Sequence, residues 1–323
     1  MSQFQDLPDE IILKVLSYLD VKDMLCCGQT SKQIRAVSHD ESLYQKIDLS
    51  GKKVWDRFLE RIMNKGCKDL SLNGVWLLGS KFNLNEKSKL RCLNLDWIGF
   101  GFGFAVTDFE ILIDSCISLQ KISMKNLGKL FLKSNMIKSI CNQNGQTLRV
   151  LNLENCVELS QDQILLITNK CVALKEVNFI NAFPTELFPF QCADILTKNL
   201  STNVQNVSLR KCKSVHDWHI DILVKRCNQI QVLDLKGTSI IGTCLPEIIR
   251  NLKDTLKELN VQTYGLKLWF DIGNSDKVLE LKSLTRLNIL NVTVNDFMER
   301  RLKKELIGIT INNQEYQDDN MYF

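Results

Sequence analysis

His216 and His219, three residues apart, and a set of twelve cysteines are the side chains best suited to metal or thiol chemistry here. Neither set completes a site. Zinc needs a third and usually a fourth ligand, and His39 is the only other histidine. The cysteines include no C-x-x-C pair, which speaks against a zinc or thioredoxin-type centre. GFGFGF at 99–104 invites a phosphate-loop reading, but its spacing is G-x-G-x-G, phenylalanine fills the gaps, and no Lys-Ser/Thr pair follows. No G-x-S-x-G element is present. No catalytic, cofactor-binding or metal-ligating residue is assigned, and the expectation is a protein that is not an enzyme.

The bulk numbers are those of an ordinary globular chain. Of the 323 residues, 45% are hydrophobic and 24% charged, an ordinary soluble balance. Net charge is +4, from 41 basic against 37 acidic residues, without a dense basic run, so nothing favours nucleic acid as a partner. MSQFQDLPDE has neither a basic region nor an apolar stretch, and no apolar run of about 18 residues occurs, so neither a secretory signal nor a membrane partner is expected. A reducing compartment, cytoplasmic and/or nuclear, then makes disulfides unexpected.

The elements emerge from a repeat. The pattern apolar-x-x-apolar-x-apolar recurs from YQKIDL (44–49) and LRCLNL (90–95) through LRVLNL (148–153) and IQVLDL (230–235) to LIGITI (306–311). Its last apolar residue falls at Leu49, Leu72, Leu95, Met124, Leu153, Phe179, Leu209, Leu235, Val261, Ile289 and Ile311, with gaps of 22 to 30 residues. That period is the signature of leucine-rich repeats. Each hit reads as a short strand with two inward apolar residues and one outward residue between them. The outward residues, from Asp48, Ser71 and Asn94 to Asn288 and Thr310, are all small and polar. Between strands, SQDQILLITNKC (160–171) and HDWHIDILVKRC (216–227) place Ile164 with Ile167 and Ile220 with Leu223 on common helix faces. One repeat is therefore a strand plus a helix, and no repeat can bury its apolar face without a neighbour.

Cysteines keep step with this array. Cys156 and Cys212 follow a strand by three residues, Cys171 and Cys227 come fifteen residues later, and Cys67 and Cys116 hold the same helix-end slot. CKSVHDWHIDILVKRCNQIQVLDL resembles the cysteine-containing subtype of leucine-rich repeat, with His216 in a helix-capping slot. The resemblance implies small, buried, reduced thiols rather than ligands or nucleophiles.

Residues 4–49 do not follow the repeat. Helical stretches are expected near 8–19, 21–29 and 31–38, with a turn near 40–45. The first is too apolar for one-sided packing. Ile11, Ile12, Leu13, Val15, Leu16, Tyr18 and Leu19 cover an arc of about 220°, against a stripe of about 100° for a helix packed on one side. Leu7-Pro8-x-Glu10, Ile12, Val15, Leu16, Leu19, Asp23-Met24-Leu25, Ser31-Lys32, Arg35 and Asp40-Glu41-Ser42-Leu43 together resemble an F-box. Ile34 and Tyr44 stand where that family often has tryptophan. The resemblance implies docking on the Skp-type adaptor of a cullin–RING ubiquitin ligase, and it names Leu7, Pro8, Ile12, Val15, Leu16, Leu19 and Leu25 as expected contacts.

The expected fold class is α/β: a short N-terminal all-helical F-box (4–49), then a leucine-rich-repeat solenoid (44–312) of about eleven strands with a curved parallel sheet inside and helices outside, then a polar tail (313–323). On the family resemblance the function is that of a substrate-recognition subunit of an SCF-type ubiquitin ligase, with an unidentified protein substrate on the concave face. The alternative is a leucine-rich-repeat scaffold or inhibitor without a ligase role. Asp96, Lys125, Glu154, Arg210 and Lys236, each just after a strand, are the candidate substrate contacts, with Arg210 and Lys236 as a cationic pair able to read an acidic or phosphorylated peptide. The loops at 99–104 and 181–192 are further candidates, being rich in aromatic residues.

Overall fold

The structure is a computed structural model. It describes residues 7–79, 82–84, 87–101, 106–128, 135–157, 159–183, 189–262, 275–290, 296–306 and 310–312. Parts of both aromatic loops (102–104 and 184–188) and the tail 313–323 lie outside the described residues. The chain forms two compact units, one running to Ser123 and taking in the helix Met136–Asn144, the other holding the remainder from Met124.

In the first unit the chain begins with three short helices, α1 (Asp9–Leu16), α2 (Val21–Cys27) and α3 (Lys32–Ser38), then a 3-10 turn Glu41–Tyr44. Local chemistry sets their ends. The side chain of Asp20 accepts from Asp23 N–H at 2.8 Å, and Ser31 Oγ accepts from Ile34 N–H at 3.1 Å, each satisfying an orphan donor at a helix start. Gln33 Nε2 donates to Asp9 Oδ1 at 2.8 Å and so ties α3 to the start of α1. Gly28 is required where α2 meets α3, because a Cβ there would lie 2.6 Å from Ser38 Oγ. Ile34 and Tyr44 are both buried, and Tyr44 donates its hydroxyl to Ser38 O at 3.0 Å. The bundle runs into the first strand through Gln45 alone.

Strands form where the sequence alternates. β1 (Lys46–Asp48), β3 (Asp69–Ser71), β5 (Cys92–Asn94) and β7 (Lys121–Ser123) pair in parallel in that order. Register puts Ile47, Leu70, Leu93 and Ile122 in one buried column, with both flanking residues on the opposite face. A second parallel sheet, β2 (Lys53–Trp55), β4 (Trp76–Leu78) and β6 (Gly99–Phe100), was not expected from the sequence, because its strands are too short to display a period. It also explains the glycine-rich stretch. A Cβ on Gly99 would lie 2.5 Å from the Trp76 ring, and one on Gly101 would lie 2.6 Å from Leu78, so these glycines make room for neighbouring side chains. Phe100 turns inward, its ring 5.6 Å from that of buried Phe109.

In the second unit β8 (Val150–Asn152), β9 (Glu176–Asn178), β10 (Asn206–Ser208), β11 (Val232–Leu235), β12 (Glu258–Gln262), β13 (Arg286–Leu290) and β14 (Thr310–Asn312) pair in parallel in chain order. Helices alternate with them and pack by one face. Leu245, Ile248, Ile249 and Leu252, at helical spacing, are all buried.

Each turn after a strand is built by two devices. Five outward residues of the strands, Asp48, Asn94, Asn152, Asn178 and Asp234, accept the N–H two positions on through a side-chain oxygen, at 2.8 to 3.1 Å. This gives five of the eleven residues of the small polar column a structural duty. The next position takes a left-handed conformation: Gly51, Gly74, Trp97, Asn126, Asn155, Asn181, Lys211 and Gly237 have φ between 50° and 70°. In the second unit Asn155 Nδ2 donates to Asn126 Oδ1 at 2.9 Å, and Asn181 Nδ2 donates to Asn155 Oδ1 at 3.0 Å, forming a ladder across repeats.

Candidate protein-binding faces

The apolar arc of the first helix divides as two-sided packing requires, though along other residues than expected. Ile12 and Leu16 are 0% and 1% exposed. They are core of the helical bundle, and this burial in the free chain speaks against the expectation that they contact a partner. The helix also ends at Leu16 rather than near residue 19. On the adjacent face Ile11 is 49% exposed and Val15 39%, one turn apart on the helix, while Tyr18 (76%) and Leu19 (37%) sit in the turn that follows. Pro8 is exposed, and Leu7 and Leu25 are half-buried. Ile11 and Tyr18 were missed, although the spacing Pro8, Ile11, Val15, Tyr18 already traces a helical stripe. Beside this stripe, Leu16, Leu19, Asp20, Met24, Leu43 and Lys46 line a groove of about 210 Å³ between the bundle and β1. Lys52, in the turn after β1, closes an ion pair to Asp20 at 2.9 Å.

The post-strand charges do not form a free reading surface. Asp96 is buried and accepts from Ser123 Oγ at 2.6 Å, so it holds two repeats together and is not offered to a partner. Lys125 and Glu154 answer each other at 2.9 Å. Arg210 and Lys236 both bear on Asp234, whose carboxyl is pushed up by burial, against the pull of Lys236 N–H and these two cations. Their charge is thus directed partly at an internal carboxylate.

A different surface does present unanswered charge. On the outward face of β1, β3, β5 and β7 a groove of about 280 Å³ is lined by Lys46, Asp69, Cys92, Asn94, Lys121 and Ser123, among others.

Thiols and histidines have structural surroundings. Burial pushes the thiols of Cys67 and Cys116 up to about 12, and those of Cys212 and Cys227 up to about 11, so none is a thiolate near neutral pH. Nine of the twelve cysteines are buried. His216 stands at the start of the helix Asp217–Arg226, and its N–H donates to Nδ1 of the fully buried His219 at 3.0 Å. The neutral His219 therefore carries its proton on Nε2, which points at Asp194 Oδ1 3.4 Å away. No group of three or more His, Cys, Asp or Glu suited to a metal occurs among the described residues, and no described helix is long and apolar enough to cross a membrane.

A short helical bundle carrying an outward apolar stripe, followed by parallel strand–helix repeats, defines an F-box-like domain joined to a leucine-rich-repeat-type α/β fold. Residues 4–50 match the F-box-like family model. The chain is similar to F-box/LRR-repeat protein 12 of Bos taurus, 23% identical over 268 residues that cover 80% of this chain and 71% of that protein. Among solved structures it is similar to a chain of the yeast Rad7 and Elc1 complex, at 13% identity, 95% and 93% coverage and a TM-score of 0.49. It is also similar to an LRR protein of Leptospira interrogans, at 16% identity, 79% and 74% coverage and a TM-score of 0.34.

Proposed function

We propose that this protein is a substrate-receptor subunit of an SCF-type cullin–RING ubiquitin ligase. The observation that carries the reading is the exposed row Ile11, Val15, Tyr18 and Leu19 on an F-box-like bundle whose own core is already complete with Ile12 and Leu16. A helix that fills its core and still shows this much apolar surface at hot-spot spacing suits a docked partner, and an F-box implies a Skp-type adaptor. The repeats then hold the protein substrate, and the activity is tethering. Holding substrate lysines near charged ubiquitin raises their effective concentration, while the bond chemistry belongs to other subunits. This role places the protein in the cytoplasm or nucleus.

Two measurements in sequence test the proposal. Purified protein should bind a Skp-type adaptor and co-elute with it and a cullin–RING core. The assembled complex should then transfer ubiquitin to proteins captured through the repeats. Adaptor binding with no transfer to any captured protein would turn the conclusion toward a scaffold. No adaptor binding would remove the ligase reading altogether.

A further inference from the structure

We propose that the sheet face of the first unit binds an extended partner segment bearing two anionic side chains about four residues apart. The inference rests on the receptor reading only in supposing that the partner is a protein held by the repeats.

The spacing comes from the register. Lys46, Asp69, Cys92 and Lys121 are paired across four adjacent strands and form one outward row along the groove. Parallel strands lie about 4.8 Å apart, so the two lysines are separated by roughly 14 Å. An extended chain advances about 3.3 to 3.6 Å per residue, and four residues cover that span. A segment crossing the strands thus meets Lys46 with one side chain and Lys121 with the fourth residue beyond it.

The charge comes from what the face leaves unanswered. Lys46 and Lys121 are exposed, as are Lys68 and Arg91 in the neighbouring row, and none of the four takes part in a salt bridge among the described residues. Two carboxylates face them. Asp48 is occupied by the hydroxyl and N–H of Ser50, which hold it below the usual carboxylate range. Asp69 lies one strand from Lys46 and two from Lys121, and it calls for a donor, such as an amide or a cationic side chain, nearer the anion that meets Lys46. Cys92 does not compete as a nucleophile, because burial and the carboxylate of Asp69 push its thiol up.

The outward row of the second unit differs: among the described residues it holds Val150, Glu176, Asn206, Val232 and Glu258, and its cation Arg286 is paired to Glu258 at 2.9 Å. The row before its strands does carry the exposed cations Arg149, Lys175 and Lys257. What singles out the first unit is the outward pair Lys46 and Lys121 across four adjacent strands.

The test is an array of twelve-residue peptides in a Gly/Ser/Asn background, each with two glutamates or two phosphoserines at every separation from one to eight. It is probed with the full chain and followed by fluorescence anisotropy in solution. Binding should peak where the anions are four residues apart and weaken in high salt. Lys46→Ala and Lys121→Ala should each lower affinity about fivefold, the scale of one exposed ion pair. The double Lys46→Glu, Lys121→Glu variant should abolish binding while its circular dichroism stays that of the parent. Preference for phosphoserine or for glutamate assigns the source of the anions, and either upholds the site. Binding independent of separation, absent throughout, or unchanged in both alanine variants would overturn it. Adaptor binding by Lys121→Ala, whose lysine does not line the groove beside the N-terminal stripe, should remain at the parent level. Loss of adaptor binding in the parent itself would count against the receptor reading and not against the peptide site.

Discussion

Ile11 and Leu16 lie on one short helix, and truncating them should have opposite consequences. Leu16 is 1% exposed, so Leu16→Ala opens a cavity in a small bundle and should cost about 2–5 kcal/mol of stability. Ile11, Val15 and Tyr18 leave 49%, 39% and 76% of their surface in water, so truncating them removes little of the core. Covering the rest of such a side chain with a partner is worth roughly 1 kcal/mol each for Ile11 and Val15 and about 1.5 kcal/mol for Tyr18, taking about 1.5–3 kcal/mol for complete burial. The triple alanine variant should therefore lose on the order of 3–4 kcal/mol of adaptor affinity, a few hundredfold, with its urea midpoint nearly unmoved. Calorimetric titration with a purified Skp-type adaptor reads the first quantity and urea unfolding the second. A folded triple variant that binds the adaptor as tightly as the parent would refute the assignment of this stripe, whatever Leu16→Ala does.

Four further outcomes can be measured on the purified chain. Asn155→Ala removes both side-chain bonds of the asparagine ladder and places a Cβ-bearing residue without a local partner at φ 57°, so it should cost about 2–3 kcal/mol; Asn155→Gly should recover about 1 kcal/mol of that, because only the conformational part is relieved. Burial would raise the carboxyl of Asp217, but N–H donors from Ile241, Gly242 and Cys244 at 2.7 to 3.0 Å outweigh it and hold the group below the ordinary value of 3.8. A depressed folded value means the stabilisation is complete above pH 3.8 and is lost as pH falls through the lower folded value, so the parent's advantage over Asp217→Asn should vanish in acid urea titrations. Asp234 is shifted the other way, so ionisation opposes folding there; Asp234→Asn, which keeps an acceptor for Lys236 N–H, should leave the thermal midpoint at neutral pH unchanged or higher. Iodoacetamide mapping by mass spectrometry should label Cys26 first and Cys27 and Cys92 more slowly, while the nine buried cysteines stay unlabelled until the chain unfolds.

The strand positions were legible because each rests on three apolar residues in a fixed pattern, and burial enforces that pattern at every repeat. The bundle was legible for a similar reason, since Asp20 and Ser31 announce helix starts by type. The left-handed column leaves a trace in the sequence: glycine or asparagine stands two residues after the last apolar position at Gly51, Gly74, Asn126, Asn155, Asn181 and Gly237, but Trp97 and Lys211 interrupt it. The second small sheet left none. Pairings across repeats are also hidden, because Lys125 meets Glu154 only once the 28 intervening positions have folded into a turn of the array. That is why charges that look free in sequence, Asp96 and Lys125 above all, prove to be occupied. Which side of the arc holds Ile12 and which holds Ile11 depends on where α2 and α3 pack, and helical periodicity alone does not specify that choice.

Frame and recognition are separable in this fold because they use different columns of the same strand. The inward column is consumed by burial, five members of the second outward column by turn capping, and the position two residues beyond the last apolar residue by its left-handed conformation. The first outward column has no such duty, and its chemistry changes freely: Lys46, Asp69, Cys92 and Lys121 in one unit, then Val150, Glu176, Asn206, Val232, Glu258 and Arg286 in the other. Substitution there removes no core contact and no cap, so it costs little stability while altering what a bound segment meets. A repeat protein can therefore change its partner through this column and keep its frame. The same logic applies to the N-terminal bundle, where Ile11, Val15 and Tyr18 are apolar residues that the bundle leaves exposed.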